Sequence, residues 1–179
     1  NWSTTWDGLE KYSIFNSFAT RVSLQHNYTS SFSRAWRINP DGLEETQSQK
    51  IGYGFQPLIG MSITFKKFAD GNFSGNIKIG SQVTYDMGNA SKNITESFSR
   101  DINIALNYTK SGFNFPLLGI SLSNDINISL SYTQMKTSNV VYDMLNFKEE
   151  GTPQDGNTRT TIEARIRYVI SSRFTLAIY

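Results

Sequence analysis

A chain of 179 residues suits one domain or a piece of a larger one, and with 38% hydrophobic residues and no run near eighteen apolar positions it offers no membrane-spanning helix. Seventeen basic and fifteen acidic residues are interspersed for a net charge of +2, which gives no basic tract for nucleic acid. Cysteine is absent, which excludes disulfides and thiolate metal sites and fits an exported chain.

The mean hydropathy of −0.39 does not exclude a membrane, because a transmembrane barrel spends every second residue on a polar lumen. Charged residues make up only 18%, below the usual quarter, and Asn, Ser and Thr take their place. No signal peptide stands at Asn1, so the chain is expected to be either processed or an excerpt.

Asn1 to Asp7 predicts a short strand with Trp2 and Trp6 on one face, ended by glycine. Over Leu9 to Phe18 the period changes: Leu9, Tyr12, Phe15 and Phe18 recur around Glu10 and Lys11 as a short amphipathic helical turn, expected to plug one end of a barrel or sheet. Alternation starts at Thr20, with Val22, Leu24, His26 and Tyr28 on an oily face and Arg21, Gln25 and Asn27 on a wet one. It extends to Ile38, and Asn39 to Thr46 reads as a polar turn.

From Ile51 to Lys66 the oily face holds Met61, Ile63 and Phe65. Parity runs straight through Pro57, which predicts one strand with a local bulge or bend at Gln56 and Pro57 rather than two strands. Ala69 to Gly71 is a tight turn into the clearest stretch of all, Asn72 to Met87. There Ile77, Ile79 and Val83 oppose Asn76, Lys78 and Gln82. Such a strand is well beyond the usual 5–6 residues and long enough to cross a tilted bilayer.

Next, Ile102, Ile104 and Leu106 oppose Asp101, Asn103 and Asn107, while Glu96 and Arg100 interrupt the oily face near its start. A basic side chain facing lipid at midplane costs roughly 2–4 kcal/mol, so a membrane band is expected to begin near Ile102. Lys110 to Gly119 reads as a turn. Ile126, Ile128 and Leu130 then oppose Asp125 and Asn127, with an extension to Leu145 and a long polar loop over Asn146 to Thr158.

Ile162, Ile166 and Tyr168 oppose Glu163, Arg165 and Arg167 in the next strand. Ser171 to Arg173 is a tight turn into a last strand begun by Phe174, Leu176 and Ile178. Tyr179 falls on the face opposite those three, so the end reads as a cut.

The fold class expected is therefore all-β: a segment of an antiparallel up-and-down transmembrane β-barrel, about eight long strands with one short helical turn at 9–18, the whole of 1–179 forming one arc. The oily residues face lipid, with Tyr28, Tyr85, Tyr108, Tyr132 and Tyr168 near the edges of the band, and the wet residues face a lumen. The alternatives are a self-contained small barrel acting as anchor or adhesin, and a soluble lipid-binding barrel or sandwich whose oily face would be a core.

Chemistry is sparse. His26, the lone histidine, falls on the oily face beside Tyr28, where a place near the interface is expected rather than a catalytic or metal role, and no Gly-x-Ser-x-Gly elbow or phosphate loop is present. No catalytic residue, metal ligand or cofactor is expected. The wet-face charges read as ion pairs or solvated wall. Sequons such as Asn93-Ile94-Thr95 and Asn107-Tyr108-Thr109 follow from alternation in an Asn/Ser/Thr-rich wall rather than from glycosylation.

Four segments carry a resemblance: NWSTTWDGLEKYSIFNSFATRVSLQHNYTSSFS at the start, FQPLIGMSITFKK, LSNDINISLSYTQMKTSNVVYDML, and TTIEARIRYVISSRFTLAIY at the end. Together, in order and over most of the chain, they resemble the C-terminal part of the SprA family, the giant outer-membrane proteins of gliding motility and type IX secretion in Bacteroidetes. The resemblance implies a location in the bacterial outer membrane, a very large single-chain barrel, and passage of folded cargo proteins to the cell surface. Its implied partners are the remaining strands of the same barrel, outer-membrane lipid, secreted cargo and accessory secretion proteins. This chain is only a fraction of that length.

Overall fold

The structure, a computed structural model, describes residues 1–117, 120–171 and 174–178. Eight antiparallel strands form one sheet in sequence order: β1 (Trp2–Asp7), β2 (Ala19–Ile38), β3 (Glu44–Phe65), β4 (Asn72–Gly88), β5 (Asn93–Leu117), β6 (Ile120–Asp143), β7 (Thr152–Ser171) and β8 (Phe174–Ile178). The sheet does not close: β1 and β8 are its two edges. No helix among the described residues is long and apolar enough to cross a membrane.

Each strand forms for the reason read from the sequence, since a period of two places alternate side chains on opposite faces and partners in register share a face. Along one face Trp6, Leu24, Met61, Ile77, Ile104, Tyr132 and Ile162 are direct neighbours in register. The adjoining row of the other face reads Asp7, Ser23, Ser62, Asn76, Ala105, Ser131 and Glu163. Aliphatic and small polar rows thus lie back to back through the sheet.

The bend expected at Gln56 and Pro57 is present. Phe55 pairs with Ser81 and Ile59 with Ile79, so β3 carries two more residues than β4 over this interval, and the parity of the oily face survives. Proline supplies no ladder N–H, so the strand bulges where it stands. The bulged carbonyls are satisfied by β2: Asn27 Nδ2 donates to the Gln56 carbonyl at 2.9 Å, and the His26 ring reaches the Leu58 carbonyl. The lone histidine therefore has a structural bond and ring contacts with Trp2 and Phe55.

At Ala69 and Asp70 the chain reverses with both residues left-handed, φ 48° and 59°, and Phe68 paired to Gly71. That is the backbone twist a two-residue hairpin turn requires.

Several expected boundaries move. The turn expected over Lys110 to Gly119 is strand as far as Leu117: Gly112 at φ 69° makes a bulge between Lys110 and Phe113, after which pairing with β6 resumes. Its last two positions lie outside the described residues. The loop expected over Asn146 to Thr158 is already strand from Thr152, because Thr152, Pro153 and Asp155 to Thr158 pair with β6. A strand exposed on both sides needs no alternation, which hid it. β3 likewise begins at Glu44 rather than Ile51, paired with β2 through a wholly polar stretch, and the turn before it shrinks to 39–43. Ser171 is strand, while positions 172–173 and Tyr179 lie outside the described residues.

The helical turn resolves into a 3-10 turn (Leu9–Lys11) and one turn of helix, α1 (Ser13–Asn16). It lies against the oily face at one end of the sheet: Leu9 packs with Ala19 and Val22, and Phe15, Leu24 and Ile63 close around them. This small cluster, with Tyr168, contains all the buried hydrophobics among the described residues. The sheet therefore has no dry core, and Ile59, Ile128, Leu130, Ile162 and Ile166 of the oily face stand exposed.

The connections at one end of the sheet are the helical segment and the turn at Ala69 and Asp70. At the other end are residues 39–43, 89–92 and 144–151.

Candidate functional site

The faces themselves are the candidate site. Register places Val22, Leu24, Tyr28, Met61, Ile63, Phe65, Ile77, Ile79, Val83, Ile102, Ile104, Leu106, Ile126, Ile128, Leu130, Ile162, Ile166 and Tyr168 on one side of the sheet. Two of these differ from the rest in surroundings. Val22 is fully covered by the 3-10 turn and Tyr168 is buried, so neither presents an open surface. Val83 lies one polar row beyond Ile79, with Ser81 between them.

That polar row marks a boundary. Trp2, Tyr28, Phe55, Ser81, Arg100, Lys136 and Thr158 follow one another across the sheet on the oily side, aromatic over β1 to β3 and polar from β4 on. On β5 the next charge along this face is Lys110, ten residues from Arg100, and everything between them on this face is Ile102, Ile104, Leu106 and Tyr108. At about 3.3 Å per residue the interval is about 33 Å along the strand. A strand tilted by about 40° brings that to about 25 Å, the height of the outward apolar band of outer-membrane barrels.

Both edges of the aliphatic zone step the same way across the sheet. On β4 and β5 its last aliphatic residues before the boundary are Ile79 and Ile102. On β6 and β7 the same row holds Gln134 and Thr160, and the zone ends one row earlier, at Tyr132 and Ile162. At the opposite edge β5 stops at Tyr108 before Lys110, whereas β6 and β7 continue to Ile126 and Tyr168. Strands about 4.8 Å apart that cross a slab at about 40° need a shift of about one residue per strand, in one direction. The descent explains why Tyr132, level with Ile104, is nonetheless an edge residue on its own strand.

The wet side carries Arg21, Gln25, Asn27, Asn76, Lys78, Gln82, Asp101, Asn103, Asn107, Asp125, Asn127, Glu163, Arg165 and Arg167, as strand alternation requires. Short polar side chains link neighbouring strands there. Ser3 Oγ donates to Asn27 Oδ1 at 2.6 Å, and Asn127 Nδ2 donates to Thr109 Oγ1 at 3.0 Å. Asp101 is held by amides rather than by a cation: Gln56 Nε2 donates to it at 3.1 Å and Asn103 Nδ2 at 3.3 Å. Gly80 makes room for this contact, since a Cβ there would stand 2.6 Å from Asp101 Oδ1 and 2.7 Å from Gln56 Oε1.

The ion pairs lie elsewhere, joining Arg34 to Glu44, Arg37 to Glu45, Lys50 to Asp86 and Lys110 to Asp70. No three His, Asp or Glu side chains converge among the described residues.

Sequence reasoning missed Glu10. Its Oε2 accepts the Val22 backbone N–H at 3.0 Å, at the point where β1 no longer pairs with β2. That bond holds the Glu10 carboxyl below its ordinary range, helped by its own backbone N–H and opposed by desolvation. The available signal was an acidic residue in the first turn of a helical segment. Compared with protein-family models and with curated proteins, the sequence has no match to either.

Proposed function

We propose that this sheet is part of the wall of an outer-membrane β-barrel that conducts proteins to the cell surface, as the SprA resemblance implies. The observation that carries the membrane part of this reading is the aliphatic zone bracketed by Arg100 and Lys110, whose height and stepped edges match a tilted sheet in a bilayer. In a soluble barrel or sandwich that face would instead be a dry core, and in this open sheet Ile59, Ile128, Leu130, Ile162 and Ile166 on it are exposed. The sheet is open, with β1 and β8 as its edges, and bare edge amides in hydrocarbon cost several kcal/mol each. The remaining strands of the same barrel are the partner that satisfies them.

The lumen side is then a wall of Ser, Asn and Thr with few charges, a surface on which a passing protein finds hydrogen bonds but no sticky apolar patch. No bond is made or broken in this role, and the wall needs no cofactor.

Two experiments on the full-length protein test the two parts. These 179 residues contain no cysteine, so single cysteines can be placed along β5 and read against the unsubstituted full-length protein as background. In intact outer membranes a water-soluble maleimide should label Asn103→Cys and Asn107→Cys and spare Ile104→Cys and Leu106→Cys. Labelling in the opposite pattern sinks the membrane reading. A photo-crosslinker at Asn103 should capture exported proteins in transit while one at Ile104 captures none, and equal capture at both refutes conduction through this face.

A further inference from the structure

At the end of the sheet that carries the Ala69–Asp70 turn, the oily face opens into a groove of about 480 Å³, within the range of about 300–1,000 Å³ typical of ligand pockets. Its walls are aromatic. The Phe18 and Phe65 rings lie 5.9 Å apart and the Phe65 and Phe73 rings 4.8 Å apart, with Tyr108 and Phe68 beside them. Tyr108 is fixed by its hydroxyl, which donates to the Ala69 carbonyl at 3.0 Å.

The rim is cationic. Lys66 and Lys67 line the groove, both are exposed, and neither has an ion-pair partner among the described residues. The nearby Asp70 carboxylate faces Lys110 at 3.9 Å.

Phe65 also borders a second, smaller depression on the side of the aliphatic zone, floored by Gly75 and edged by Ile63, Leu106 and Ile77. The missing side chain at Gly75 keeps it open, for a Cβ there would stand 2.9 Å from Leu106 Cδ2. An apolar track therefore leads from two unpaired ammonium groups into the aliphatic zone. A water-soluble anion would have no use for the track, and a neutral oil would have no use for the lysines.

We propose that this groove holds one anionic glycerophospholipid, its phosphate between Lys66 and Lys67 and one acyl chain laid over Phe65 and Phe73 toward Gly75. This rests on the membrane reading above.

The test is native mass spectrometry of the full-length protein, extracted from its own membrane in mild detergent and offered phosphatidylglycerol and phosphatidylcholine in equal amounts. Each lysine near an anionic headgroup is worth about a fivefold preference, so the pair should favour phosphatidylglycerol by about 20- to 30-fold. The double variant Lys66→Gln/Lys67→Gln should bring the two lipids to parity, Gly75→Leu should weaken both alike, and Lys50→Gln at the opposite end should change nothing. Equal retention by the unaltered protein, or a preference that survives the double lysine change, overturns the proposal. Both outcomes leave the membrane reading intact if the protein still needs detergent. A protein monodisperse without detergent removes that reading, and the lipid with it.

Discussion

Replacing Ile104 by arginine tests the orientation of the sheet more sharply than any other single change. Ile104 stands four residues from Arg100 and six from Lys110 along β5, about 13 Å and 20 Å at 3.3 Å per residue. With the strand tilted about 40°, those become about 10 Å and 15 Å of depth, which puts the side chain near the middle of the apolar zone. A guanidinium there costs about 2–4 kcal/mol, a shift of about 30- to 1,000-fold in the folding equilibrium.

Asn103, one residue away, points to the other face in a row with Lys78 and Thr133, where an arginine should change stability by no more than about 0.5 kcal/mol. Guanidinium unfolding of the full-length protein in lipid vesicles measures both. If Asn103→Arg proves as damaging as Ile104→Arg, or more so, the faces have been assigned the wrong way round.

Three further outcomes follow from local geometry. Glu10 has a folded-state pKa below its unfolded value of 4.5, so the support it gives Val22 is complete above pH 4.5 and is lost as pH falls through the lowered value. The stability gap between the native protein and Glu10→Gln should therefore narrow in acid, and a gap that is constant from pH 7 to pH 3 refutes the bond. At the Ala69–Asp70 turn, the double change Ala69→Asn/Asp70→Gly supplies residues that accept left-handed φ and should stabilise by about 1 kcal/mol in thermal or denaturant unfolding. Gly54→Ala should cost about 1–3 kcal/mol, because its Cβ would lie 2.5 Å from the Ser81 carbonyl oxygen and 2.8 Å from Gln82 Cα, whereas Gly52→Ala meets the Ser31 hydroxyl at 3.1 Å and the Thr84 hydroxyl at 3.7 Å and should be mild. Equal melting temperatures for those two variants would contradict the close approach of β3 to β4.

Strand order, both faces and the bulge at Pro57 were legible because each depends on a period of two that burial does not need to enforce. Strand ends were not legible. Thr152 to Thr158 pairs with β6 although it is polar throughout and contains Pro153, since ladder bonds depend on the neighbouring strand and leave no mark on local composition. The reach of β5 through Gly112 was hidden for the opposite reason: the Lys-Ser-Gly sequence has turn chemistry, and here it makes a bulge.

The helical turn was readable from its spacing, but its resting place over Val22 was not. That depends on Leu9 and Phe15 finding the end of β2 and β3, a contact between segments. Nor did any single strand show that Arg100, Lys136 and Ser81 share a row, because a boundary across a sheet exists only once register is fixed.

The tip of the β2–β3 hairpin has its own consequence. The ladder between β3 and β4 runs from Ser48 to Thr64, so the last rungs of β2 with β3, from Trp36 opposite Thr46 to Ile38 opposite Glu44, stand beyond it. What ties the two strands together there beside the backbone is charge, Arg34 with Glu44 and Arg37 with Glu45. Added salt screens exposed charge pairs and leaves apolar contacts untouched, so this tip is the part of the sheet whose cohesion depends on ionic strength.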